Sequence, residues 1–191
     1  MRSDCALLIV DMLVDFFERS PELAAHRARL AAATNQLADA VRRAGGPVIW
    51  GRQEFRPDLS DAFLDVRRRG LAITIAGTEG AELLPELTRA AGDHVVVKKR
   101  YSAFYGTDLD ALLAALGTRA LVVGGVNTHA CVRTTVIDAY QRDYDVTLAA
   151  ECIGSSDAEH HAVTVRYLAG QVARLASNAE IAARLGALPT A

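Results

Sequence analysis

The sequence predicts an α/β fold: a single domain over residues 1–191, doubly wound and Rossmann-like, with a mostly parallel six-stranded sheet and helices on both faces. Short apolar, β-branched runs recur along the chain, each bounded by glycine, proline or charge. Segments with apolar residues at helical spacing separate them. The chain is 51% hydrophobic and 23% charged, the balance of an ordinary globular protein with a sizeable core.

The first run, Cys5–Asp11, reads as a buried strand ending in a carboxylate, with 12–17 turning away. Ligands gather beyond the carboxyl ends of strands in an open parallel sheet, so Asp11 is well placed for chemistry. A cap or turn role is its other reading. Residues 21–45 form a helix, with Leu23, Leu30, Leu37 and Val41 on one face, and Gly45-Gly46 ends it. Pro47–Trp50 is the second strand. Its polar sequel brings Arg52, Glu54 and Arg56, candidate substrate contacts or a solvated loop. Arg67-Arg68-Arg69 reads as an exposed face. Residues 70–80 are glycine-bearing and weakly patterned, a lid or a subunit contact. His94–Arg100 is the third strand, and its lysines are costly to bury unless paired. The loop Tyr101–Gly106 supplies aromatics for a pocket wall. Thr107 reads as an N-cap, and Leu109, Leu112, Leu113 and Leu116 face the core. Tyr144–Ala150 is a further strand. A helix from about Ala158 carries His160 and His161, adjacent positions that do not face each other. A short strand near Val172–Leu175 and a helix over 178–185 close the pattern.

Residues 120–135 are the centre of the reading. A buried strand from Ala120 breaks at Gly124-Gly125, and a helix is expected from Cys131 to about Arg142. Cys131 is thereby expected at a helix's first turn, where free N–H groups and the positive end of the dipole favour a thiolate. The same N–H groups could hold an oxyanion. A buried cysteine filling space is the alternative. Three strand ends now offer Asp11, Lys98 and Cys131: a base, a cation and a nucleophile.

These residues resemble the isochorismatase-like cysteine hydrolases, the superfamily of nicotinamidases and N-carbamoylsarcosine amidohydrolase. The carriers are Ile9-Val10-Asp11-Met12 with Asp15-Phe16, Lys98-x-x-Tyr101-Ser102-Ala103-Phe104, and Gly125-Val126-x-Thr128-x-x-Cys131-Val132. The resemblance implies that Asp11 is the general base, Lys98 the cationic partner and Cys131 the nucleophile. It also implies a cis peptide at Val126-Asn127, with the N–H groups of Asn127 and Cys131 directed at an oxyanion. Alternation along a strand puts Lys98 and Lys99 on opposite faces, so one alone reaches the site. The expected reaction is acyl transfer to Cys131, cleaving a C–N bond of a small amide, ureido or carbamoyl compound, or lactam through a thioester.

Departures narrow this. Nicotinamidases share an Asp-x-His…His metal site after the second strand, whereas this chain reads Arg52-Gln53-Glu54-Phe55 there, so no metal or other cofactor is expected. Leu13 stands where many members carry glutamine. Phe16, Arg52, Glu54, Tyr101, Phe104, His129 and Arg133 are the candidate substrate contacts, and a basic pair would suit a carboxylate-bearing amide such as a carbamoyl amino acid. Arg133 reads equally as a surface arginine. An isochorismatase-type enol-ether hydrolase and a non-catalytic binding or scaffold protein are the alternatives; Cys131 favours C–N cleavage over the former. The formal charge of −2 invites neither nucleic acid nor an anionic membrane, and no apolar run is long enough to span one. The opening Met1-Arg2-Ser3-Asp4 shows no leader, and Cys5, Cys131 and Cys152 form no paired motif, so a reducing cytoplasm is expected. The resemblance implies a homo-oligomer, a dimer or tetramer.

Overall fold

The structure, a computed structural model, describes residues 4–186. Met1–Ser3, where the sequence was read for a leader, and residues 187–191 lie outside them. Six parallel strands form one sheet: β1 (Cys5–Val10), β2 (Val48–Gln53), β3 (His94–Lys98), β4 (Ala120–Gly125), β5 (Asp145–Ile153) and β6 (Arg174–Ala176), in the order β3-β2-β1-β4-β5-β6. The chain winds outward from β1 through β2 to β3, then crosses back and winds the other way from β4. The strand order therefore reverses between β1 and β4, the place where an open α/β sheet forms its crevice.

Seven α-helices accompany the strands among the described residues: α1 (Val14–Glu18), α2 (Pro21–Arg43), α3 (Leu64–Arg69), α4 (Leu109–Leu116), α5 (Arg133–Tyr140), α6 (Ala158–Gln171) and α7 (Asn178–Gly186). Strand alternation divides the core in two. Leu7, Ile9, Val48 and Trp50 pack with Leu23, Leu30 and Leu37 of α2 and Ile181 of α7. Ala6, Leu8, Val10 and Ile49 pack on the other face with Leu113 of α4, Val136 of α5 and Leu168 of α6. Both faces are covered, which is why the strands read as continuous apolar runs. No helix among the described residues is long and apolar enough to cross a membrane.

Several boundaries differ from the sequence reading. β2 runs on to Gln53, because its polar end is paired to β3 through Arg52↔Val97 and Gln53↔Lys98. β5 runs on to Ile153, held to Gly125 after a shift in register. Asp108, not Thr107, occupies the N-cap position of α4; the Thr107 hydroxyl instead accepts from the Leu109 N–H at 3.2 Å. Residues 70–80 stay irregular apart from the start of a 3-10 turn, Glu79–Ala81.

Candidate active site

Asp11 follows the last residue of β1 with φ at +57°, a left-handed conformation that a non-glycine residue adopts only where its surroundings impose it. Its N–H donates to the Gly51 carbonyl at 2.8 Å, and its own carbonyl accepts from Leu13 at 2.8 Å. The chain thereby turns off the sheet and leaves the Asp11 carboxylate over the strand ends, fully buried. Oδ1 accepts from the backbone N–H of Gln53 at 2.8 Å. Oδ2 lies 2.6 Å from Lys98 Nζ.

Lys98, the last residue of β3, is also fully buried. Besides Asp11, its ammonium contacts the Arg100 carbonyl at 2.9 Å and interacts with the Cys131 sulfur. Burial alone would lower its affinity for a proton, but Asp11 and Cys131 outweigh that and raise it, so Lys98 is charged. Lys99 leaves on the opposite side, donating to the Glu54 carbonyl and standing 3.1 Å from Asp61 Oδ2.

Cys131 arrives through a tightly tied segment. The Gly124-Gly125 end of β4 passes so close to its neighbours that a Cβ on Gly125 would sit 2.0 Å from the Val10 carbonyl oxygen, and φ there is +117°. The Val126–Asn127 peptide is cis. Thr128 then locks the turn to the end of β5: its N–H and its hydroxyl both donate to the Gly154 carbonyl at 2.8 Å. With that hydroxyl proton committed, the contact of His161 Nδ1 at 3.0 Å is donated by the ring. Asn127 Oδ1 accepts from Ser156 N–H at 2.7 Å.

The expected helix start at Cys131 is displaced. Residues Thr128–Val132 form a π turn in which the Asn127 carbonyl accepts from Ala130 at 3.0 Å and Val132 at 3.2 Å; α5 begins only at Arg133. The expected thiolate is not favoured either. Burial is the largest influence on the Cys131 thiol and pushes it up; Lys98 pulls it down, while Asp11 pushes it up again. The net direction is upward. Burial and the neighbouring Asp11 carboxylate therefore favour the neutral thiol of Cys131, and only 4% of the residue is exposed.

The structure thus brings Asp11, Lys98 and Cys131 together, with Asn127 at the turn between strand and thiol. The other candidate contacts are engaged elsewhere. Arg52 forks between Glu54 at 2.6 Å and Glu82 at 2.9 Å. It pairs with Val97, so it leaves β2 on the face opposite Gln53 and Lys98. Phe104 is buried in the core against Tyr144, with Arg142 over its ring at 4.6 Å. Phe16 is half-buried against the α2-side core. His129 points to α6, its Nδ1 2.5 Å from Ser155 Oγ, and Arg133 lies over Tyr167 at 5.4 Å. Tyr101 is exposed and tilts against Phe63, ring centroids 4.9 Å apart. Among the described residues no three His, Cys, Asp or Glu side chains cluster as a metal ligand set.

Gln53, Gly154 and Arg100 contribute to the site and were not singled out as site residues in the sequence. Only Gln53 left a signal there, as a polar residue just past a strand end. The other contributions run through backbone groups and loop packing.

The sheet order and the buried acid–ammonium–thiol cluster define an α/β protein of the isochorismatase type. The Isochorismatase domain family matches residues 5–180, and the chain belongs to that family. It is 37% identical over 125 residues to the ureidoacrylate amidohydrolase RutB of Methylorubrum extorquens, an alignment covering 57% of this chain but only 50% of that protein. It is 32% identical over 167 residues to a probable inactive nicotinamidase of Arabidopsis thaliana, covering 84% of this chain and 85% of the relative. Among solved structures, a cysteine hydrolase from Pseudomonas syringae pv. phaseolicola superposes with a TM-score of 0.87 at 26% identity, over 96% of this chain and 92% of the other.

Proposed function

We propose that the protein is a cysteine-dependent amidohydrolase acting on a C–N bond of a small amide, ureide or lactam, with Asp11 as base, Lys98 as cationic partner and Cys131 as nucleophile. The buried contact set of these three side chains carries the reading. Because Cys131 rests as a thiol beside the Asp11 carboxylate, the reaction begins with proton transfer, not with a standing thiolate. Asp11 takes the thiol proton as sulfur bonds to the carbonyl carbon. The charge that develops on the carbonyl oxygen is met by the N–H groups of Asn127 and Cys131, each donor of this kind contributing on the order of 3 kcal/mol. Collapse breaks the C–N bond, and Asp11 returns its proton to the departing ammonia or amine. Water then attacks the thioester, gives a proton to Asp11, and the acid leaves as the thiol is restored. Lys98 stays charged throughout and keeps the Asp11 carboxylate oriented.

Similarity to a ureidoacrylate amidohydrolase supports a ureido or carbamoyl substrate over a lactam. Ammonia release from a panel of carbamoyl, ureido and simple amides, with mass spectrometry for an acyl adduct on Cys131 after rapid quench, tests the scheme. Turnover with the adduct on the peptide bearing Cys131 is the expected outcome. Hydrolysis retained by Cys131→Ala would refute the covalent route and favour an isochorismatase-type reaction.

A further inference from the structure

In the segments 52–56, 98–100 and 127–133, four basic side chains have a carboxylate close by: Arg52 at 2.6 Å, Arg56 at 3.9 Å, Lys98 at 2.6 Å and Lys99 at 3.1 Å. Arg100 and Arg133 have none among the described residues. Arg133 is turned toward α6 and lies over Tyr167; two positions from Cys131 on a helical turn, it leaves on another side.

Arg100 is placed differently. Its carbonyl accepts from Lys98 Nζ at 2.9 Å, so the residue is one hydrogen bond from the Asp11–Lys98 pair. Its guanidinium lies over the Phe63 ring, 5.1 Å from the centroid, and Tyr101 tilts against the same ring. Nη1 alone anchors it, donating to the Asp61 carbonyl at 2.8 Å and to the Lys99 carbonyl at 2.7 Å. The Nε and Nη2 N–H groups have no acceptor among the described residues. That free edge is the one whose parallel N–H bonds match a carboxylate. A guanidinium already held by two carbonyls and an aromatic plate loses little further freedom when it takes an anion.

We propose that Arg100 is a specificity-determining residue that receives a carboxylate of the substrate, so that the protein prefers amides or ureides bearing a free carboxylate over their neutral counterparts. The nature of the scissile bond rests on the amidohydrolase reading above; the anion seat does not. The test uses a panel of N-carbamoyl amino acids and their methyl esters. Ammonia release gives kcat/KM for each acid and ester with the wild-type protein, Arg100→Ala and Arg100→Lys. The acid-to-ester ratio is expected to fall about ten- to a hundredfold in Arg100→Ala, through KM, and to recover in part in Arg100→Lys, which keeps the charge but loses the fork. Calorimetric binding of the same compounds to Cys131→Ala, with and without Arg100→Ala, reads the seat without turnover. An unchanged ratio overturns the proposal, as does carboxylate binding that is absent or indifferent to Arg100. Arg100-dependent binding of the acids with no ammonia from any compound supports the anion seat and overturns the amidohydrolase reading instead.

Discussion

The two ends of the sheet handle a cysteine thiol, half-buried at one end and buried at the other, in opposite ways. At the carboxyl ends, Cys131 is packed against an ammonium and a carboxylate that are themselves fully buried. At the amino ends, Cys5 lines a cavity of about 260 Å3 together with Leu121, Ile181, Leu185, Arg119 and Arg184. Burial pushes both thiols up. At Cys5 the negative charges of Asp4 and Asp145 push the same way, to about 11. At Cys131 the positive charge of Lys98 opposes burial, and the Asp11 carboxylate stands beside the sulfur. The hollow and the acid–ammonium–thiol cluster are at different ends of the sheet. What makes a thiol useful is the charge buried beside it, not the space around it.

The largest expected difference is in turnover. Cys131→Ala should lower hydrolysis of any amide the protein cleaves by about a thousandfold or more, while Cys5→Ala should leave initial rates of ammonia release within about twofold. Loss of activity in both variants would mean that the two ends are coupled.

The ionic pairs come next. Lys98→Met leaves the Asp11 carboxylate buried and uncompensated, and should cost about 3–5 kcal/mol in urea unfolding. At the other end Arg119, 82% exposed, pairs with Asp4 at 2.8 Å, and Arg119→Met should cost about 0–1 kcal/mol. Equal losses would show that the buried pair is far better solvated than its burial indicates.

Glycines divide the same way. Gly125→Ala drives a Cβ to 2.0 Å from Val10 oxygen at a positive φ, and a loss of about 3 kcal/mol or more is expected in thermal or urea unfolding. Gly170 in α6 has nothing within 4 Å of an added Cβ, so Gly170→Ala should stabilise by about 0.5–1 kcal/mol.

The smallest effect is on pH dependence. His129 is held below the ordinary 6.5, first by burial and then by His160, against a raising influence from Asp157. His161 is held low by burial, Arg29 and His129. As pH falls through 6.5 the unfolded chain takes up these protons before the folded one does. Their contribution to stability is therefore complete above that pH and is lost progressively below it. The thermal midpoint should be level from about pH 7 to 8 and fall between about pH 6.5 and 5.5, with a shallower fall in His161→Asn. Asp61 and Asp93, whose affinity for a proton is lowered from 3.8, act in a more acidic window.

Much of this was legible in the chain because it depends on local pattern. Asp11, Lys98 and Cys131 stand at or just past strand ends, and the two-residue period of a strand separated Lys98 from Lys99. Arg52 was not legible: a basic residue past a strand end looks like a ligand contact until Glu82, thirty positions on, is found at its guanidinium. Nor was the ionisation of Cys131. A helix-start argument counts nearby dipoles, whereas the sulfur's state is set by how much water the whole fold removes. Arg100 was invisible for a related reason: its free edge is defined by which carbonyls of other segments take the rest of its donors.

By itself the sequence determined the alternation of strands and helices, the two-sided core and the three residue types that meet at the crevice, since apolar period and strand-end position are properties of short segments. Only the tertiary structure decided which cations were already neutralised, that burial favours the protonated thiol of Cys131, and where an arginine was left with an open edge. Desolvation and charge pairing depend on groups far apart in the chain, and those distances come into being only when the sheet is assembled.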